Sequence, residues 1–165
     1  MKTNMKTSSY LPMAAILLTV ALAGRAAADD KLVPFKGSLQ AHESVTFPGP
    51  GTLVADGSGE GIATHLGRFT LTWHFTVNTV AGSGTGPVHY IAANGDSIFT
   101  TAVGQSEPTS TPGVFHIMEV QTVTGGTGRF ANATGSFIVE RLTDLNTGFT
   151  SGSFHGGITS PGSAK

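Results

Sequence analysis

The fold class is decided by one stretch of the sequence, Gly67-Arg-Phe-Thr-Leu-Thr-Trp-His-Phe-Thr-Val-Asn78. Its apolar side chains recur at every second position, and threonine or histidine stands between them. Successive residues of a β-strand point to opposite faces of the sheet. The stretch is therefore predicted to be a strand with His74 on a solvent-facing side and one buried face. That buried face carries Phe69, Leu71, Trp73, Phe75 and Val77.

The same alternation continues on both sides of this stretch, where Gly, Asn, Asp and Pro divide it into short segments. We predict eight strands, at about residues 35–43, 52–64, 68–78, 87–93, 96–104, 114–124, 134–143 and 148–158. Asn94-Gly95 indicates a hairpin with a two-residue type I′ turn. Gly57, Gly59 and Gly61 predict a bulge or sharp bend in the second strand.

Eight short strands with hairpin-length connections predict an all-β fold, an eight-stranded antiparallel closed barrel. Closure removes the exposed strand edges that make open sheets associate. A barrel of eight strands has an interior that side chains fill or that holds one small ligand. A two-sheet β-sandwich is the alternative. Residues 29–165 are predicted to form this single domain.

Residues 1–28 are predicted to be a signal peptide. Lys2 and Lys6 precede an apolar run of 11 residues, 13–23, and the small residues Ala26 and Ala28 follow it. That order is typical of a secretory signal, and a membrane span needs roughly 20 apolar residues. We expect a secreted or periplasmic protein that begins at Asp29 and has no membrane span after cleavage.

The composition argues against several classes of function. From residue 29 onward there are six basic and ten acidic residues, a net charge of −4. The basic residues are scattered, so we do not expect nucleic-acid binding. Without cysteine there is no disulfide, thiol catalysis or thiolate metal site. The six histidines all lie more than two residues apart, and we predict no metal and no cofactor.

The run Gly125-Gly-Thr-Gly128 invites comparison with a phosphate-binding loop. That motif needs a following helix, whose N-terminus supplies amide donors. Here Arg129-Phe130 and a further strand follow instead. We interpret the run as a structural turn whose backbone needs positive φ or close approach to a neighbouring strand.

Four residues are weak candidates for acid–base chemistry: Glu119, Glu140, Arg141 and His116. Glu119 and Glu140 each share a strand face with apolar neighbours. Burial raises the pKa of a carboxyl group on such a face, which can then act as a general acid or base. We nevertheless expect both carboxylates at the surface. Arg141 lies on the opposite face from Glu140, so one of these two can point inward.

Two segments resemble the allene oxide cyclase and dirigent barrel superfamily: Ala92-Ala-Asn-Gly-Asp-Ser-Ile98 and Val123-Thr-Gly-Gly-Thr-Gly-Arg-Phe-Ala-Asn-Ala-Thr-Gly135. In that group a Gly-Gly-Thr/Ser-Gly-x-Phe-x-x-Ala-x-Gly segment enters the penultimate strands. Leu32-Val-Pro-Phe35 is also similar to the start of the cyclase barrel. The chain looks most like short exported bacterial proteins that share this barrel.

The resemblance implies an eight-stranded barrel with a hydrophobic cavity, often in a homotrimer. Plant members cyclise an epoxide of a fatty acid or steer the coupling of phenoxy radicals. The matched segments are turns, so they carry over no catalytic residue to this sequence.

Three functions stay open. The first is an exported barrel of unassigned reaction that binds a small apolar ligand in a pocket lined by Phe69, Leu71, Trp73 and Phe75. The second is a cyclase-like isomerase or a dirigent-like enzyme that positions a reactive apolar substrate. The third is a surface or matrix interaction protein with a filled barrel. A cavity with a buried carboxylate would favour the enzyme, and a cavity without ionisable groups would favour the binder.

Overall fold

A computed structural model describes residues 31–162. The strands are β1 (Leu32–Gly49), β2 (Thr52–Ala63), β3 (Gly67–Asn78), β4 (Ser83–Ala92), β5 (Ser97–Pro108), β6 (Val114–Gly126), β7 (Gly135–Asp144) and β8 (Phe149–Thr159). Each strand pairs antiparallel with the next, and β8 pairs with β1. The closed eight-stranded barrel is therefore confirmed over the two-sheet sandwich.

The predicted signal peptide lies outside the described residues, so it stays a prediction. Residues 29–30 and 163–165 lie outside them as well. Within residues 31–162, no helix has the length and apolar character that crossing a membrane requires.

Strand β3 has the predicted register. Phe69, Leu71, Trp73 and Phe75 are buried inside the barrel, and Val77 packs against the same core from a partly buried position. On the outer side the exposed His74 lies with its Nδ1 2.6 Å from Oδ1 of Asp56. The alternation of the sequence thus separates core from solvent along the whole strand.

The bulge that was one expectation for the glycines of β2 is absent. Pairing of β2 with β3 continues without a register shift. Gly57 stands opposite Trp73 and Gly61 opposite Phe69 on the inner face, and a Cβ on either glycine would overlap the facing aromatic ring. The glycines make room inside the barrel for large side chains of β3.

The same physical reason corrects the extent of β4. The fourth strand was expected to begin at about residue 87, yet β4 begins at Ser83. A Cβ on Gly86 would overlap the backbone of His74 and the ring of Phe75. Glycine is therefore needed here for packing and not for a turn.

The hairpin at Asn94-Gly95 is confirmed, but its turn is of another kind. Residues 93–96 connect β4 to β5. Gly95 has a φ of +88°, whereas the φ of Asn94 is not positive. A type I′ turn needs positive φ at both central positions. The backbone amide of Gly95 instead donates to the carbonyl of Ala92, so the connection is longer than the two residues predicted.

One end of the barrel is filled by aromatic rings. They belong to Phe35, Phe69, Tyr90, Phe137 and Phe154, all buried. Ring centroids lie 5.0 to 6.3 Å apart in edge-on or tilted arrangements, the spacing that aromatic pairs prefer. This end of the barrel is packed with buried side chains.

The glycine-rich run near residue 126 is structural in the way the sequence suggests. Gly125 and Gly128 have φ of +148° and +58°, and a Cβ on Gly126 would overlap the carbonyl of Ser97 and the backbone of Phe130. Only the three-residue 3-10 turn Gly128–Phe130 follows, too short to offer a row of free amides.

Replacing Gly126 with valine is expected to lower the free energy of unfolding by about 1–3 kcal/mol. The loss should be the same with and without phosphate, since it arises from overlap of the valine side chain with the protein and involves no bound anion. Urea melts of Gly126→Val and wild type in the two buffers measure this. A phosphate-dependent stabilisation of the wild type that disappears in the variant would instead indicate an anion site.

Candidate functional site

A cluster of buried charged side chains lies inside the barrel, next to the end that the aromatic rings fill. Arg141 of β7 contacts two carboxyl groups, Glu119 of β6 and Glu43 of β1. Its Nε and one terminal nitrogen lie 3.0 and 2.9 Å from Glu119 Oε1, and the other terminal nitrogen lies 3.1 Å from Glu43 Oε2. All three side chains are at most 5% exposed, so these are ion pairs shielded from water.

Threonine hydroxyls complete the surroundings of the guanidinium. The terminal nitrogen that faces Glu43 also donates to the hydroxyls of Thr143 and Thr150, at 2.7 and 3.1 Å. Thr143 passes a hydrogen bond to Thr150, which in turn donates to the carbonyl of Leu142. The donors of Arg141 are therefore directed to protein acceptors on β1, β6, β7 and β8.

A second chain of hydrogen bonds connects Glu119 to the aromatic end. The amide nitrogen of Gln121 donates to Glu119 Oε2 at 3.0 Å. The amide oxygen of Gln121 accepts from the hydroxyls of Tyr90, at 2.9 Å, and Thr100, at 2.8 Å. Both oxygens of Glu119 are thus engaged and its orientation is fixed.

Complete burial, followed by the nearby charge of Glu119, raises the pKa of the Tyr90 phenol far above its ordinary value. The folded protein therefore keeps this proton at pH values where the unfolded chain, with a tyrosine pKa of about 10, loses it. Stability that Tyr90 contributes is present below about pH 10 and is lost as the pH rises further.

Wild-type protein is accordingly expected to lose about 1.4 kcal/mol of unfolding free energy per pH unit above pH 10 from this group. Tyr90→Phe should lack that component, so the two stability curves converge as the pH rises. Urea melts at pH 8 to 11 measure both slopes. Parallel curves would contradict a buried, neutral phenol.

The other end of the barrel encloses a cavity of about 290 Å³. Its walls are mainly apolar: Val45, Phe47, Leu53, Ala55, Phe75, Val77, Ala102, Phe115, Ile117 and Leu145. Glu43, Glu119, Arg141 and Thr143 also line it. Phe47 is 68% exposed and marks the mouth. An apolar chamber with a few convergent polar groups is the usual form of a small-molecule site.

A much smaller internal cavity, of about 10 Å³, lies on the other side of the charged cluster. Glu119 and Arg141 line both cavities. Trp73 lines the small one, and its buried indole nitrogen has no hydrogen-bond partner among the described residues. The Arg141 guanidinium lies 5.3 Å from the centre of the Trp73 ring, so the indole lies directly against the charged cluster.

The structure separates the four acid–base candidates. Surface placement of Glu119 is wrong, because its side chain points into the barrel and pairs with Arg141. Glu140 is exposed, as expected. Arg141 takes the inward position next to it. His116 lies half-buried on the strand face opposite to Glu119 and does not line the cavity.

The four predicted pocket residues are divided between different parts of the barrel. Phe75 lines both cavities, while Leu71 and Trp73 line only the small one. Phe69 belongs to the aromatic cluster and touches neither. The wide chamber thus begins at Phe75 and extends towards the connection between β3 and β4.

Sequence reasoning missed Glu43, although a signal for it exists. Phe35, Leu39, Ala41 and Val45 form an alternating apolar series, and Glu43 occupies an inward position of the same series. A carboxylate on an otherwise apolar strand face could have been singled out, as Glu119 was. Gln121 was missed as well, although it lies on the same face of β6 as Glu119.

The comparisons with known proteins bear on the fold. No family model matches the chain, and no curated protein matches it. A solved structure, that of the pterocarpan synthase dirigent protein GePTS1, matches 93% of this chain and 99% of its own, with a TM-score of 0.52 and 13% sequence identity. The likeness shows that this chain shares its overall fold with that dirigent protein. The resemblance found in the glycine-rich segments is thereby confirmed for the fold.

At this level of identity the likeness does not assign roles to side chains. Among residues 31–162, no three His, Asp or Glu side chains are grouped so that they could hold a metal ion.

Proposed function

We propose that this protein holds one small, largely apolar molecule in the open half of its barrel and positions it against buried carboxyl groups, in a dirigent-like or cyclase-like role. The observation that carries the proposal is the cavity of about 290 Å³ that has apolar walls and ends at Glu43, Glu119 and Arg141. Of the three functions left open by the sequence, a cavity with buried carboxylates favours this one.

The chemistry follows from the surroundings of the carboxyl groups. A carboxylate in a cavity with little water is a stronger hydrogen-bond acceptor than one in solution. Arg141 holds both carboxyl groups in place and offsets charge that develops near them. The apolar walls hold the body of the ligand, so the site orients a reactive molecule and keeps water from it.

A neutral apolar fluorophore, N-phenyl-1-naphthylamine, tests the cavity. Wild-type protein should enhance its fluorescence in a saturable way. Ala102→Phe places a ring in the chamber from a wall position that is 1% exposed, and it should weaken binding at least about ten-fold. Val103→Phe is the matched control, because Val103 is 61% exposed on the outer face of the same strand.

Circular dichroism of both variants shows whether each of them is folded. If Ala102→Phe does not fold, Ala55→Leu narrows the same chamber by a smaller step. Equal binding by wild type and a folded, cavity-filling variant would reject the cavity as the ligand site.

A binding protein without a reaction is the second candidate. It is favoured by the hydrogen bonds of Arg141 and Glu119, which are made with other side chains of the protein. In that case the charged cluster orients the ligand and stabilises the barrel, and it exchanges no proton with the ligand. Binding of the fluorophore would agree with both candidates. A reaction requires, in addition, that Glu43 contacts the ligand.

We also propose that the protein is exported to the periplasm or the cell exterior. The support is the order of charged, apolar and small residues in 1–28. The intact mass of protein recovered from outside the cytoplasm should correspond to a chain that begins at Asp29. A mass that includes residues 1–28 would reject the proposal.

Self-association through the outer face of β5, β6 and β7 is a further proposal. Val103, Met118, Val120 and Leu142 are 46% to 61% exposed there, and Val103 and Val120 are direct register partners. A homotrimer, which the resemblance implies, would cover these side chains. Sedimentation equilibrium of wild type and Val120→Lys tests it, and a monomeric wild type would reject it.

A further inference from the structure

The ionisable groups that line the large cavity do not balance in charge. They are Glu43, Glu119 and Arg141, two acids and one base, and each is at most 5% exposed. With all three ionised, one negative charge has no counterion among the residues from 31 to 162 that line this cavity. An uncompensated buried charge is costly, and a ligand is one source of the missing positive charge.

The hydrogen bonds of the three charged side chains leave one carboxylate oxygen without a donor from residues 31–162. Arg141 directs its donors to Glu119, Glu43 and two threonine hydroxyls. Both oxygens of Glu119 accept protein hydrogen bonds. Glu43 Oε2 accepts from Arg141, whereas no residue in 31–162 donates to Glu43 Oε1. Glu43, which lines the cavity, therefore keeps one acceptor oxygen open.

We infer that the ligand of this cavity is an apolar molecule that carries a protonated amine, which enters head first and donates to Glu43. This inference rests on the proposed function, since it requires the cavity to be the ligand site. The ammonium group supplies both the missing positive charge and the missing donor. A carboxylate head is disfavoured because it meets the negative charge of Glu43.

Three probes that differ only in the head group test the inference: octylamine, 1-octanol and octanoate at pH 7. The sequence contains a single tryptophan, and Trp73 lies against Arg141, so its fluorescence reports events at the charged cluster. Calorimetry gives the affinities independently. We expect octylamine to bind at least about ten-fold more tightly than octanoate, with 1-octanol between them.

Glu43→Gln keeps the shape of the side chain and removes its charge. It should weaken octylamine binding about ten-fold or more, leave 1-octanol nearly unchanged and abolish the preference for the amine. Glu140→Gln is the matched control. It removes one negative charge from the outer face of β7, and it should change none of the three affinities.

The outcomes separate this inference from the proposed function. If none of the probes binds, the cavity is not a ligand site and both fail. If octanoate binds as tightly as octylamine, or if Glu43→Gln leaves the preference for the amine intact, the inference is overturned while ligand binding stands. The comparison of head groups on the wild-type protein remains decisive if Glu43→Gln does not fold.

Discussion

Replacing Arg141 with methionine should lower the free energy of unfolding by about 3–5 kcal/mol. The variant keeps an unbranched side chain against Trp73 but leaves the carboxyl groups of Glu43 and Glu119 buried without a cation. Breaking a buried ion pair by removing one partner is costly because the remaining charge stays desolvated. The Thr143 and Thr150 hydroxyls also lose the hydrogen bonds that they accept from Arg141. Urea unfolding at pH 7, followed by circular dichroism, measures the loss.

Two further variants make the result specific to the charged cluster. Glu140→Gln changes an exposed residue that directly precedes Arg141 in β7, and it should cost less than about 0.5 kcal/mol. Glu119→Gln combined with Arg141→Met should be more stable than Arg141→Met alone, since one of the unpaired charges is gone. The coupling between the two positions follows from the double-mutant cycle.

A loss below about 1 kcal/mol in Arg141→Met would contradict the buried cluster. It is the size expected of a solvent-exposed ion pair, and it would mean that water reaches the carboxyl groups. The proposed function would then lose its main support, because a wet cluster does not provide the environment that the positioning of a reactive ligand requires.

The sequence was sufficient for the fold because the strand signals are local. The alternation in β3 and the hairpin at Asn94-Gly95 each depend on neighbours a few residues away, and both were found. The packing role of the glycines of β2 was missed for a non-local reason. Their role depends on Trp73 and Phe69, which face them only after β2 and β3 pair in the observed register.

The candidate site was less predictable because β6 and β7 are apolar on both faces. In β6, Phe115 and Ile117 alternate with Met118 and Val120, so periodicity alone does not tell which series faces inward. The position of Glu119 follows only from the closed register of β5, β6 and β7. Arg141 was one of two residues considered for the inward position. Glu43 went unnoticed because it stands near the predicted end of its strand.

Trp73→Ala should cost about 3–5 kcal/mol of unfolding free energy. Trp73 is 7% exposed and fills the space that Gly57 leaves on the opposite strand, so its removal leaves a void at a position where the facing residue has no side chain. The ring also stacks on Phe75, with centroids 6.1 Å apart, and lies against the Arg141 guanidinium. Its loss therefore weakens both the core and the charged cluster.

His74→Ala is the matched control, one residue along the same strand. His74 points outward, with its side chain 58% exposed, and its contact with Asp56 is an exposed pair worth less than about 1 kcal/mol. Urea melts of both variants at pH 7 should therefore differ by a factor of several in their cost. Equal costs would mean that the register of β3 is shifted by one residue. Such a shift would turn every side chain of the strand to the other face and remove Phe75 from the cavity.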